Sequence, residues 1–349
     1  MQEAINKLLR PEQVAAYLEG SNTLVMPLLD ILFPPSTRRM HQSITVGLDS
    51  MIRDTNNIPH TIRGGEYWRL KSNDHKLIHF TVPPVRIGDS ISEVDLNDIE
   101  EYYNIGNLRG IQDYLANKAI DRALTYRKTT QAMVADFIRS AGTMTFPIWN
   151  DSNGACDLEA VAYPLASRWL TKTAALLWDN ASATIMTVFN DLMSWEEDME
   201  EENGQNGTKL ILAPRDVYGQ LLALLQGNQT TSEVTYKVNK NSIEIGHYEI
   251  FAIGGAYNSY THSAGASTTL LEAKKLIMVS DDFRRELLYC KTEMRDTNGN
   301  LIAYRTDMDA PMVLKMYWDE GSECMMIKSE AKPLPVMNPA SFLTATVLS

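Results

Sequence analysis

The sequence predicts an α+β chain in which a compact α/β part is inserted into a β-rich frame. Three observations carry this. Strand-like runs punctuated by Gly, Pro and Asn occupy both an early stretch, 41–93, and a late one, 286–349. An apolar stripe of helical period runs across 97–141, longer than one ordinary core requires. Between them, 165–285 alternates amphipathic helices with short apolar strands. A frame that stops and resumes implies that one domain interrupts the other.

The elements follow in order. Residues 1–40 hold the amphipathic Pro11–Glu19 and the apolar Leu24–Leu32, and Pro34-Pro35 break the helix. Ser43–Leu48, Thr61–Leu70 and Lys76–Pro84 read as strands of a long hairpin-like excursion. Gly64-Gly65 and Ser72-Asn73-Asp74 supply its turns or bulges. Two strands alone are marginal in water, so this excursion must lie on something else.

In the long helix, Asp95 or Asn97 serves as a cap. Leu115, Ile120, Leu124, Met133, Val134, Phe137 and Ile138 form the apolar stripe, and Gly142 closes it. Thirty such residues would span about 45 Å, which suits an elongated subunit. Thr143–Ile148 and Cys156–Tyr163 flank a turn at Asn150–Gly154. Then come a helix over 182–200, a strand at Lys209–Ala213, and a helix Arg215–Leu225 opened by Pro214. Glu249–Ile253 and Lys275–Val279 are short buried strands. Pro311–Trp318, Glu323–Ala331 and the Pro-rich closing block place the last part of the chain inside a sheet.

Composition narrows the function. A chain of 349 residues fits about two domains. Its net charge of −12 argues against gripping nucleic acid, which needs basic surface. It leaves room for a container along whose wall DNA slides. No apolar run of about 18 residues suggests a membrane span. The opening Met1–Lys7 lacks a signal-peptide pattern. Cys156, Cys290 and Cys324 are scattered, as reduced thiols are.

Catalytic patterns are weak. His75 and His79 lie in a strand, about 13 Å apart and too far for one ion. Gly254-Gly255 lacks the rest of a phosphate loop, and no Gly-x-Ser-x-Gly occurs. Asp281-Asp282 and the pair Asp307/Asp309 read as solvated carboxylates. No catalytic, metal or cofactor residue is expected. Glu196–Glu202 is anomalous: six carboxylates in seven residues crowd the C-terminal end of a helix, where the macrodipole favours cations. Solvation, a basic partner or divalent ions would offset it.

Several stretches resemble known sequences. These are Arg63-Gly64-Gly65, Leu210–Tyr218, Gly246–Tyr257, Lys275–Ser280 and the closing Pro333–Leu343. Taken in order, they resemble lambda-type phage major capsid proteins, the major capsid protein E family, with the HK97-like capsid fold. Asn338-Pro339 stands where that family usually has Asp-Pro.

The resemblance implies an N-arm at 1–43, an E-loop at 44–93 and a peripheral domain with a spine helix at 94–164. An inserted axial domain at 165–285 and a peripheral return at 286–349 complete it. It implies an icosahedral head of pentamers and hexamers that encloses double-stranded DNA without gripping it. Such a virion protein would be assembled in the host cytoplasm, with separate scaffold and portal proteins and, in some relatives, a decoration protein. Arg63, Glu66, Tyr67, Trp68 and Arg69 would form a subunit interface, with Gly64, Gly65, Gly106 and Gly110 as joints. Some capsids of this fold crosslink Lys to Asn; Lys71, Lys76 and Asn338 are the residues this chain would offer. An encapsulin-type compartment and an unrecognised α/β enzyme are the alternatives.

Overall fold

The computed structural model describes residues 26–43, 45–50, 76–91, 108–150, 155–227, 235–258, 267–282, 285–295, 312–319 and 324–349. Helix α1 (Pro27–Leu32) carries Pro at its start, where a missing N–H costs nothing. Strands β1 (Arg38–His41), β2 (Thr45–Ser50), β3 (Lys76–Thr81) and β4 (Val85–Ile91) follow. β2 pairs with β3, and β4 joins a different sheet. Then comes the long helix α2 (Leu108–Arg139). Its end is closed by Gly142 at φ +91°, whose N–H donates to Phe137 O at 3.0 Å. A side chain there would press on the Pro339 ring at 3.1 Å.

β5 (Thr143–Asn150) and β6 (Ala155–Ala162) form a hairpin. The chain continues through β7 (Leu170–Thr173), α3 (Ile185–Asn203), β8 (Lys209–Pro214) and α4 (Arg215–Gly227). β9 (Tyr236–Val238), β10 (Ser242–Ile245), β11 (Tyr248–Ile253), β12 (Ala256–Asn258), β13 (Ser267–Thr269) and β14 (Lys275–Ser280) come next. β15 (Glu286–Cys290), β16 (Val313–Asp319), β17 (Cys324–Ala331), β18 (Pro333–Val336) and β19 (Phe342–Thr346) complete the order. Pro214 ends β8 rather than opening α4, and pairs in parallel register with Ile253.

The chain divides into two compact units, and α2 contributes to each, up to Gln131 and from Ala132. The first unit holds a sheet of order β1-β15-β18 and another of order β16-β17-β4. α2 is tied to the second of these by polar contacts. The Tyr126 hydroxyl donates to Ser329 Oγ at 2.9 Å, while Arg122 reaches Ser329 Oγ at 3.1 Å and Ile327 O at 3.2 Å. Burial outweighs these contacts and pushes the Tyr126 hydroxyl up to about 12. Asp30 of α1 accepts from both Arg38 and Arg127 at 2.7 Å, joining α1 to α2.

The second unit is built on a seven-stranded sheet of order β7-β19-β14-β8-β11-β10-β9. Its core on one face joins α3 (Val188, Leu192, Trp195, Met199) and α4 (Val217, Leu221, Leu225) to Ile211, Ile243, Ile250, Met278 and Leu343. α3 starts from a capping box between Thr184 and Thr187. A second, aromatic cluster forms around Phe137, which meets Tyr163, Trp169 and Phe342 edge-on at 4.9, 5.8 and 5.8 Å.

One placement departs from the sequence reading. That reading assigned everything after 286 to the returning frame. The closing strand β19 instead lies between β7 and β14 in the second unit's sheet. The physical reason is in its own residues. Phe342, Leu343 and Ala345 are all fully buried and Thr344 and Thr346 only partly exposed, which suits a strand seated inside the sheet rather than at its edge.

Candidate functional site

The acidic run is where structure adds most to sequence. α3 ends at Asn203, and Gly204, at φ +63°, donates to Glu200 O in a left-handed cap. No basic residue stands in its last turn, yet two lysines from neighbouring strands approach it. Lys172 of β7 lies 2.9 Å from Asp198 and 3.2 Å from Glu202. Lys209, the first residue of β8, is 1% exposed and lies 3.6 Å from Glu196 and 3.9 Å from Glu200. Its Nζ also donates to Gln205 O and Gly207 O, each at 2.8 Å. A buried ammonium thus sits where the helix dipole is negative, the favourable polarity.

Glu196 gathers further partners. Tyr248 donates to its Oε2 at 2.5 Å and His247 lies 3.4 Å from the same oxygen. Burial favours the neutral acid, but these hydrogen bonds and the Lys209 charge prevail and hold the carboxyl below its ordinary value. Burial, then the bond to Glu196, pushes the Tyr248 hydroxyl up. Gly246 makes the turn possible: its φ is +61°, and a Cβ there would stand 2.6 Å from the Phe189 ring. Because Glu196 is depressed in the folded state, its stabilisation is present above the unfolded value and fades as pH falls through the folded one. The melting-temperature gap between wild type and Glu196→Gln is therefore expected to shrink as pH falls below about 4.5. A gap that is constant down to about pH 3 would refute the pairing.

Charge at this helix end was legible in the sequence; its partners were not. Lys172 and Lys209 are isolated lysines in strands, with no spacing that ties them to α3. Glu197 and Glu201 stay exposed, so the run is partly neutralised and partly solvated. Among the described residues no group of three or more His, Cys, Asp or Glu side chains is placed to hold a metal.

The other candidates fall as follows. Arg63, Gly64, Gly65, Glu66, Tyr67, Trp68, Arg69 and Gly106 lie outside the described residues, as do Lys71, His75, Asp307 and Asp309. Gly110 lies in the first turn of α2. His79 is exposed. Asp281 is paired with Arg285, and Gly254 lies against the Arg215 side chain. Asn338 is 8% exposed and caps the turn Pro339–Ser341 by accepting from Ala340 N at 3.1 Å. Cys290 is buried, which pushes its thiol up to about 11. No helix among the described residues is long and apolar enough to cross a membrane.

The model of the phage major capsid protein E family matches residues 12–347. The chain belongs to that family. This capsid protein has the HK97-like fold, and solved structures share it. A putative capsid protein of a prophage of E. coli CFT073 is 12% identical, with 97% of this chain and 99% of that chain covered and a TM-score of 0.57. The capsid asymmetric unit of cyanophage A-1(L) is 14% identical, with 98% and 99% covered and a TM-score of 0.54. At such identities the likeness shows the fold alone. No curated protein matches the chain. Members of the family are structural capsid proteins of the virion rather than enzymes.

Proposed function

We propose that this capsid protein assembles into pentamers and hexamers of an icosahedral head that encloses double-stranded DNA. The observation that carries the reading is the family match over nearly the whole chain. Net charge supports the passive wall: at −12 per chain the protein repels rather than grips a polyanion. In this reading residues 1–43 are the N-arm, 44–93 the E-loop, α2 the spine helix and 165–285 the core of the axial domain. Scaffold and portal are separate chains, and assembly takes place in the host cytoplasm.

The E-loop is taken as the clasp between neighbours, with Arg63, Glu66, Tyr67, Trp68 and Arg69 in the contact. Trp, Tyr and Arg are the residue types that most often dominate interfaces. Expressed with its scaffold, the wild-type chain is expected to sediment as very large particles. Trp68→Ala should leave the melting temperature of the free subunit nearly unchanged, a loss within about 1 kcal/mol. It should cost about 2 kcal/mol or more at each contact and suppress particle yield. A wild-type chain that stays a monomer even when expressed with its scaffold would overturn the assembly reading. A Trp68→Ala variant that assembles normally would remove the clasp.

A further inference from the structure

Asparagine followed by glycine is prone to spontaneous deamidation, because glycine leaves the next backbone nitrogen unhindered. Two such pairs, Asn203-Gly204 and Asn206-Gly207, stand side by side where α3 passes into β8. Asn153-Gly154 and Asn298-Gly299 lie outside the described residues. The fold treats the two neighbouring pairs oppositely. Asn203 is the last residue of α3 and is 2% exposed. Its Nδ2 donates to Arg168 O at 3.0 Å and to Ala340 O at 3.1 Å. The Gly204 N–H is engaged too, with Glu200 O at 3.0 Å. Both groups that would have to meet are tied down, so Asn203 can react only when the helix end opens.

Asn206 lies outside helix and strand and is exposed. Among the described residues, neither its side chain nor the Gly207 N–H makes a hydrogen bond. The glycine is not readily exchanged, since a Cβ on Gly207 would stand 2.8 Å from both Asp282 N and Asp282 Oδ1. Lys209 holds this loop. Its buried ammonium donates to Gln205 O and Gly207 O, each at 2.8 Å, so the two carbonyls it clasps bracket residue 206.

We propose that Asn206 is a self-modification site of the folded protein, and that its isoaspartate product loosens the seat of Lys209. The Gly207 nitrogen attacks Asn206 Cγ. A new C–N bond closes a five-membered imide, the Cγ–Nδ2 bond breaks, and Nδ2 leaves as ammonia carrying the proton that Gly207 N gives up. Water then opens the imide. Opening at Cγ gives aspartate. Opening at the main-chain carbonyl gives isoaspartate, in which the chain runs on through Cβ and Cγ. Either product adds a negative charge. Only isoaspartate lengthens the main chain, by one carbon, between the two carbonyls that Lys209 holds. The same chemistry at Asn203 would bury a carboxylate against Arg168 O and Ala340 O, where an N–H donor now sits, so the protection of Asn203 guards the closing block.

The test ages the full chain at mildly alkaline pH, native and in urea. Peptide mass mapping reads each asparagine, and enzymatic methylation of isoaspartate counts that product. In the native chain Asn206 is expected to convert about tenfold or more faster than Asn203. In urea the two rates should come together, since both asparagines precede glycine. The aged native chain should melt below fresh protein, and Asn206→Gln should reduce that loss. Asn206→Asp, which carries the charge without the longer chain, should melt near wild type. Equal native rates at the two sites, or an Asn206 that reacts in urea but not in the native chain, would overturn the modification site. An aged wild type that melts like fresh protein although isoaspartate has formed at 206 would overturn the loosening of Lys209. So would an Asn206→Gln chain that loses as much on ageing, or an Asn206→Asp chain that melts as low as the aged one.

Discussion

Replacing Phe137 by alanine is expected to destabilise the second unit by about 3–5 kcal/mol. Phe137 is fully buried, and its ring meets Tyr163, Trp169 and Phe342. Trp169 and Phe342 stack on each other at 4.7 Å, so the deleted ring leaves a hole walled by rigid aromatics. Such a wall collapses poorly, which puts the cost toward the upper end. Phe137→Leu, which keeps most of the volume, should cost about 1–1.5 kcal/mol. Urea unfolding of the two variants against wild type checks this. Equal costs for Ala and Leu would mean that the cluster repacks freely.

Lys209→Met is expected to cost about 3 kcal/mol, as when one member of a buried ionic cluster is removed. The change strips a donor from Gln205 O and Gly207 O and removes the cation nearest Glu196. Glu196→Gln should cost less, because that side chain is 25% exposed and keeps its contact with Tyr248. The double variant should lose less than the sum, with a coupling of about 0.5–3 kcal/mol. A strictly additive cycle would show that Lys209 serves only the two carbonyls.

How much of this was readable beforehand depends on whether the signal is local. The stripe Met133, Val134, Phe137 and Ile138 gave the helix because its period is written in consecutive turns. Gly142 marked the stop because the left-handed turn needs it. Pro214 misled by one position: proline suits a helix start, and it equally suits the end of a strand whose next residue begins the helix. The closing block was read as a strand, but its partners were not, since alternation says that a strand is buried and not beside which strands. The same limit hid the lysines. Nothing in the local pattern of Lys209 distinguishes it from a solvated residue at a strand start. Only the parallel pairing of β8 with β11 and the packing of α3 bring it to Glu196.

The central seat of β19 has a consequence for the timing of synthesis. Trp169, just before β7, bonds to Thr344 of β19 across 175 residues of sequence. At roughly 5–20 residues per second, a ribosome needs roughly ten to thirty seconds to travel from one to the other. β7 presents a bare edge for that whole interval, and β14, made later, does so for the last part of it, where β19 will lie; bare edges invite foreign strands. A nascent chain therefore cannot finish this sheet domain by domain as it emerges. It has to wait for a late segment to be threaded between two early ones, and a chain cut short before Phe342 would keep both edges raw.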